Sequence, residues 1–159
     1  MLVRDATAED VDAFVAVLVS VAEEGRWIGT EAPVDVEARA KRLRARIAEG
    51  DVLLVLEDDD RHVGNGDLHA THAAGVLSLG MAIVADARGL GGGRALMDAL
   101  LVRARDLGAH KVELEVWPDN ERAIALYERY GFEVEGLRRD HYRRRDGTLR
   151  SSLIMALLH

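Results

Sequence analysis

Residues 87–101 read ARGLGGGRALMDALL: four glycines within five positions, an arginine on either side, then an apolar run at helical spacing. Glycine inside an element costs roughly 0.5–1 kcal/mol relative to alanine, so four of them before a strong helix need a cause. A flexible linker, a C-cap before a new helix and a backbone cradle for an anionic ligand are the candidates. Upstream, Leu77 to Val84 is an apolar strand. Downstream, Arg94 to Leu107 sets Leu96, Met97, Leu100, Leu101 and Ala104 on one face, and Gly108 closes the helix. No domain boundary flanks the glycines, which removes the linker.

A helix N-terminus carries unpaired N–H groups and about half a positive charge, so it attracts phosphate. Glycines clear side chains from the approach and let successive amides point inward as a nest. Arg88 and Arg94 can add charge-assisted hydrogen bonds. A P-loop is excluded because no Lys-Ser or Lys-Thr follows the glycines, and the dinucleotide fingerprint fails because Arg94 takes its third glycine position. The spacing alone leaves open a plain strand–helix turn that binds nothing.

Working outward, Thr7 to Asp10 predicts a helix start with Thr7 as N-cap. Val11, Phe14, Val15, Leu18, Val21 and Ala22 follow on one face, and Gly25 ends the helix. A second helix is predicted from about Asp35 to Glu49, stopped by Gly50. Strands are predicted at 51–56, 62–71, 75–84 and 110–117, then at 132–144 and 148–158 around the turn Asp146-Gly147. A short helix runs from Asn120 to Tyr130, capped by Asn120 and stopped by Gly131. The order β α α β β β α β α β β predicts an α/β (α+β) fold with a mixed sheet, since hairpins and helical crossovers both occur. One domain over 1–159 is expected.

The content of 48% hydrophobic and 31% charged residues is that of a soluble globular chain, and no stretch approaches a membrane span. The acidic start MLVRDATAEDVDAF lacks a signal peptide's apolar run, so a cytoplasmic location is expected. A net charge of −7 disfavours nucleic acid as a partner. The basic cluster from Arg138 to Arg145 is expected to be a solvated strand and turn. The absence of cysteine excludes disulfides, thiolate metal sites and a cysteine nucleophile. Six scattered histidines, with His69-x-x-His72 lacking partners, argue against a metal.

Arg88-x-x-Gly91-x-Gly93 between strand and helix, together with Asn120-x-x-Ala123-x-x-Leu126-Tyr127-x-x-x-Gly131-Phe132, resembles the GNAT superfamily of acyl-CoA-dependent N-acetyltransferases. The two motifs are spaced as in that family, and the element order matches its fold over nearly the whole chain. The resemblance implies a mostly antiparallel sheet of about seven strands, flanked by about four helices and splayed beside the glycine loop. It implies acetyl-CoA as co-substrate, with pyrophosphate on the amides of Arg88, Gly89, Leu90, Gly91, Gly92, Gly93 and Arg94. The pantetheine arm would lie along Met81, Ile83 and Val84, with an irregularity near Met81. Asn120 and Ala123 fall on the cofactor side. An N–H of this strand, taken as that of Ile83, would steady the developing oxyanion.

The same resemblance makes Tyr127 the general acid for the leaving thiolate; the alternative is a core tyrosine. The base stays open among Asp67, His69, His72, Glu31, Glu113, Glu115 and a water chain. Trp27 with Glu24 and Glu31 would hold a cationic acceptor, or Trp27 would plug the sheet. The expected activity is acetyl transfer to the primary amine of a small molecule, such as an amino acid or polyamine, in a ternary complex. Acetylation of a protein N-terminus or lysine, and a non-catalytic acyl-CoA-binding module, are the alternatives. Members of the superfamily are often homodimers.

Overall fold

Leu53, Leu54, Val55 and Leu56 are apolar without alternation, as a strand covered on both faces requires, and all four are buried. The computed structural model describes residues 1–159. Its elements are β1 (Leu2–Asp5), α1 (Val11–Glu23), α2 (Val36–Ala48), β2 (Leu53–Asp58), β3 (Arg61–Ala70), β4 (Val76–Ile83), α3 (Gly92–Asp106), β5 (Lys111–Val116), α4 (Glu121–Arg129), β6 (Glu133–Arg143) and β7 (Leu149–Leu158). The strands form one sheet, ordered β1-β2-β3-β4-β5-β7-β6, in which only β4 and β5 run parallel. Leu54 and Leu56 pack with Leu96, Met97 and Leu100 of α3, while Leu53 joins Val11, Val15, Ala40 and Leu43 beneath α1 and α2. The helices therefore clamp β2 from both sides. No helix is long and apolar enough to cross a membrane.

The first helix starts later than Thr7 suggests. Ala8–Asp10 is a 3-10 turn, and α1 begins at Val11. The Asp10 carboxylate folds back to accept the Thr7 N–H at 2.7 Å and is clamped by Arg4 at 2.7 and 2.8 Å, which tightens that turn.

The expected irregularity near Met81 is absent. β4 keeps unbroken register with β3, Gly66 facing Met81 and Gly64 facing Ile83. The departure lies on the other edge, where β4 pairs with β5 only from Val76 to Ser78 while β5 continues along β7 to Val116. The two strands part like a V, so the opening comes from their divergence and needs no inserted residue.

Candidate functional site

The glycine loop enters α3 at its mouth. Gly89 and Gly91 have φ of +88° and +95°, a left-handed conformation that side chains resist. No backbone carbonyl receives the N–H of Gly89, Leu90, Gly91, Gly92 or Gly93. Five successive amides are thus bare at a helix N-terminus, the arrangement that binds phosphate. The glycines divide the work. A side chain on Gly91 would meet nothing within 4 Å, whereas a Cβ on Gly92 would lie 2.5 Å from Leu56 Cδ2. Gly91 keeps the cradle open, and Gly92 lets the helix settle on the sheet.

A cavity of about 1140 Å³ opens from this loop along the split between β4 and β5. The Val84 N–H donates to the Val63 carbonyl at 3.0 Å. Antiparallel alternation then turns the N–H groups of Met81 and Ile83 away from β3, into the gap that β5 vacates. Met81 and Ile83 line the cavity, whereas Val84 does not and its N–H is already spent. Leu90 and Gly92 also fall outside the lining: Leu90 is largely exposed, and Gly92 is packed on Leu56.

α4 brings a second N-terminus to the same cavity. Asn120 caps it, its side-chain oxygen accepting the Ala123 N–H at 3.3 Å, and both residues line the cavity. Arg122 fills the space left beside Gly89, where a Cβ would come within 2.9 Å of its guanidinium. The dipole disfavours arginine in a first helical turn, yet both Arg94 and Arg122 occupy such turns. That misfit is a sequence signal for Arg122, and it points to an anion. Arg129, the last residue of α4, also lines the cavity. Tyr127 lines the cavity at 8% exposure, packed at 5.9 Å between ring centroids against Phe132. Burial pushes its phenol up to about 12, so it stays protonated at neutral pH.

At the far end the strand alternation puts Glu115 on the open face of β5, opposite the buried Leu114 and Val116. Glu115 lines the cavity; Asp67, His69, His72, Glu31 and Glu113 do not. Its Oε2 accepts from Ser152 Oγ at 2.6 Å and Tyr142 OH at 2.8 Å, and its Oε1 from Arg138 at 2.7 Å. The phenol of Tyr142, also in the lining, is pushed up to about 12 by burial and by its bond to Glu115. Trp117 is buried against Tyr142, with Arg150 lying 4.3 Å from its ring centroid. Trp117 follows β5, Tyr142 lies in β6 and Ser152 in β7, and no local pattern singles them out.

Four expectations change here. Trp27 lines the cavity, but the protein's own Arg26 lies 4.3 Å from its ring centroid, and Glu24 is taken by Arg88. Glu31 lies outside the cavity: it accepts the Arg145 N–H at 3.1 Å and approaches Arg144 at 3.5 Å. The basic cluster is correspondingly not a solvated face alone. Arg144 is buried and bonds the Gly29 carbonyl at 2.9 Å, and Arg145 bonds the carbonyls of Ala32 and Pro33. These arginines strap the loop after α1 onto the final hairpin. Arg88 likewise departs from its expected role, since its guanidinium is bidentate to Glu24 and its Nε bonds the Ile83 carbonyl at 2.8 Å.

The profile of the acetyltransferase (GNAT) family matches residues 13–132. The L-methionine sulfoximine/L-methionine sulfone acetyltransferase of Pseudomonas paraeruginosa is 30% identical over 139 residues, spanning 84% of this chain and 81% of the relative. The crystal structure of a ribosomal-protein-alanine N-acetyltransferase from Brucella melitensis superposes with a TM-score of 0.91 at 28% identity, covering 100% of both chains. That of yncA from Salmonella typhimurium, solved with its cofactor acetyl-CoA, superposes at 0.87 over 99% of this chain and 92% of its own, at 22% identity.

Proposed function

The chain belongs to the acetyltransferase (GNAT) family, and from that premise we propose that it moves the acetyl group of acetyl-CoA to the primary amine of a small molecule. The observation that carries the donor side is the run of five bare amides from Gly89 to Gly93. They cradle the diphosphate, and the guanidinium groups of Arg94, Arg122 and Arg129, all in the cavity lining, supply counter-charge. Acetyl-CoA supplies an acetyl group already activated as a thioester. The N–H groups of Met81 and Ile83 bind the donor as an added strand would, and that of Ile83 polarises the thioester carbonyl.

Glu115 takes the proton that the acceptor ammonium has to lose. Three of its four lone-pair positions are filled by Ser152, Tyr142 and Arg138, which leaves one on Oε1 for the amine. As the C–S bond breaks, Tyr127 gives its proton to the leaving thiolate and is restored by the second proton that the nitrogen sheds on becoming the amide, a task suited to a phenol that burial keeps protonated. With no cysteine in the chain, the amine attacks directly and no acyl-enzyme on a thiol forms.

The small-molecule acceptor is supported by the relative that acetylates methionine sulfoximine, aligned over most of both chains. The Brucella structure favours a second reading, a protein N-terminus beginning with alanine. Free-thiol release measured over amino acids, methionine sulfoximine, polyamines and alanine-first peptides tests both. A small amine is expected to exceed the best peptide in kcat/KM by about 100-fold, a gap of ~2.7 kcal/mol in transition-state binding. A peptide in first place overturns the small-molecule reading. Failure of acetyl-CoA to bind in a calorimetric titration removes the catalytic reading altogether.

A further inference from the structure

Glu24 is the C-cap of α1. Its carboxylate accepts three hydrogen bonds: two from the Arg88 guanidinium, at 2.5 and 2.8 Å, and one from the Trp27 indole, at 2.8 Å. The Nε of Arg88 donates to the Ile83 carbonyl at 2.8 Å. That carbonyl points to the side where β5 has diverged, so no strand partner satisfies it. One carboxylate therefore links the open end of β4, the entrance of the glycine loop and the Trp27 wall. The pair is half-shielded, with side chains 23% and 26% exposed. The hydrogen bonds from Arg88 hold the Glu24 carboxyl below the usual carboxylate range, so the link is ionised at neutral pH.

Charge gives the link its purpose. Arg88 directly precedes five bare amides that attract an anion. A guanidinium with no carboxylate of its own would turn toward the same anion and leave the Ile83 carbonyl unpaired in the gap. Resting on the transfer reading above, we infer that Glu24 is a positioning residue. It reserves Arg88 for the Ile83 carbonyl, which holds the end of β4 in place for the thioester, and it docks Trp27 as the wall of the acceptor end.

Glu24→Gln preserves size and one acceptor oxygen but removes the ionic grip. The acceptor's kcat/KM is expected to fall about tenfold, with the acetyl-CoA dissociation constant moving less than about threefold. Acrylamide quenching of tryptophan fluorescence supplies a readout independent of turnover. Trp117 is 4% exposed, so quenching reports Trp27, and it should rise in Glu24→Gln. Arg88→Gln interrupts the same link, so the double variant should lose little beyond the larger single loss.

Unchanged quenching and kcat/KM in Glu24→Gln overturn the assignment. So do additive losses in the double variant, or a fall in acetyl-CoA affinity that parallels the loss of turnover, which would make Glu24 an ordinary structural link. Should the unaltered protein acetylate nothing in the amine panel, the transfer reading falls alone. The quenching of Glu24→Gln then still decides whether this carboxylate positions Trp27.

Discussion

The two ends of the cavity are built from different materials. The end that we assign to the donor is made of main chain: bare amides at 89–93, two helix N-termini, and the N–H groups of a strand edge. The acceptor end is made of side-chain pairings between distant segments. Glu115 is joined by side-chain hydrogen bonds to Tyr142, 27 residues further along the chain, and to Ser152, 37 residues further. A main-chain site is fixed by consecutive residues, because helix dipoles and positive φ are local properties. A side-chain site can change its selectivity by exchanging one partner while the donor end stays intact.

The largest expected effect breaks the donor end alone. Gly91→Glu adds a charged side chain that has open space around it but points a carboxylate at the cradle. Acetyl-CoA affinity should fall by more than about 100-fold in calorimetry, with backbone strain of ~1–2 kcal/mol because φ is positive. Gly92→Ala, one residue away, is the contrast. Its Cβ strikes Leu56, so thermal unfolding should show a loss of ~1–3 kcal/mol.

Next in size, Glu115→Gln should lower kcat/KM about 100-fold at neutral pH and leave acetyl-CoA affinity unchanged. The deficit should shrink as pH rises toward the acceptor's own pKa, near ~10 for a lysine-like amine, because the amine then needs no base. A constant deficit across the pH range would remove Glu115 from proton transfer.

Tyr127→Phe should lower kcat by about 10- to 100-fold. The phenol, pushed up to about 12, is protonated throughout the accessible range, so the intact enzyme's pH–rate profile should show no alkaline fall below about pH 10 from this residue. A steep loss between pH 8 and 9 that disappears in Tyr127→Phe would contradict the assignment.

The smallest effect sharpens the comparison from the acceptor side. Arg144→Met removes a buried guanidinium that bonds Gly29 and approaches Glu31. It should cost ~1–3 kcal/mol of stability and raise the acceptor's KM, while calorimetry finds acetyl-CoA affinity within about twofold.

The donor end was legible because each of its signals lies within a short window. The strand, the glycines with an arginine on each side, and the Asn120-capped helix carrying Tyr127 follow one another over some fifty residues. The alternation in β5 puts Glu115 on its open face, but the sequence does not separate it from the five other groups named as bases; of the six, Glu115 alone lines the cavity. Arg88 was misleading for a physical reason. An arginine beside a glycine loop looks free to hold phosphate, and nothing nearby in sequence shows that Glu24, 64 residues earlier, has claimed it. Within the cluster from Arg138 to Arg145, most of which is the exposed strand expected, Arg144 and Arg145 were misleading in the same way, since their partners lie in the loop after α1.

By itself, then, the sequence determined the element order, the glycine loop ahead of α3 and the place of Tyr127 on the Asn120-capped helix, since these rest on backbone conformations that neighbouring residues dictate. Tertiary structure alone decided where β4 and β5 part, which carboxylate enters the opening and which arginines are already spent. Those outcomes depend on the divergence of two strands and on charges meeting across the fold, and no short window of sequence encodes either.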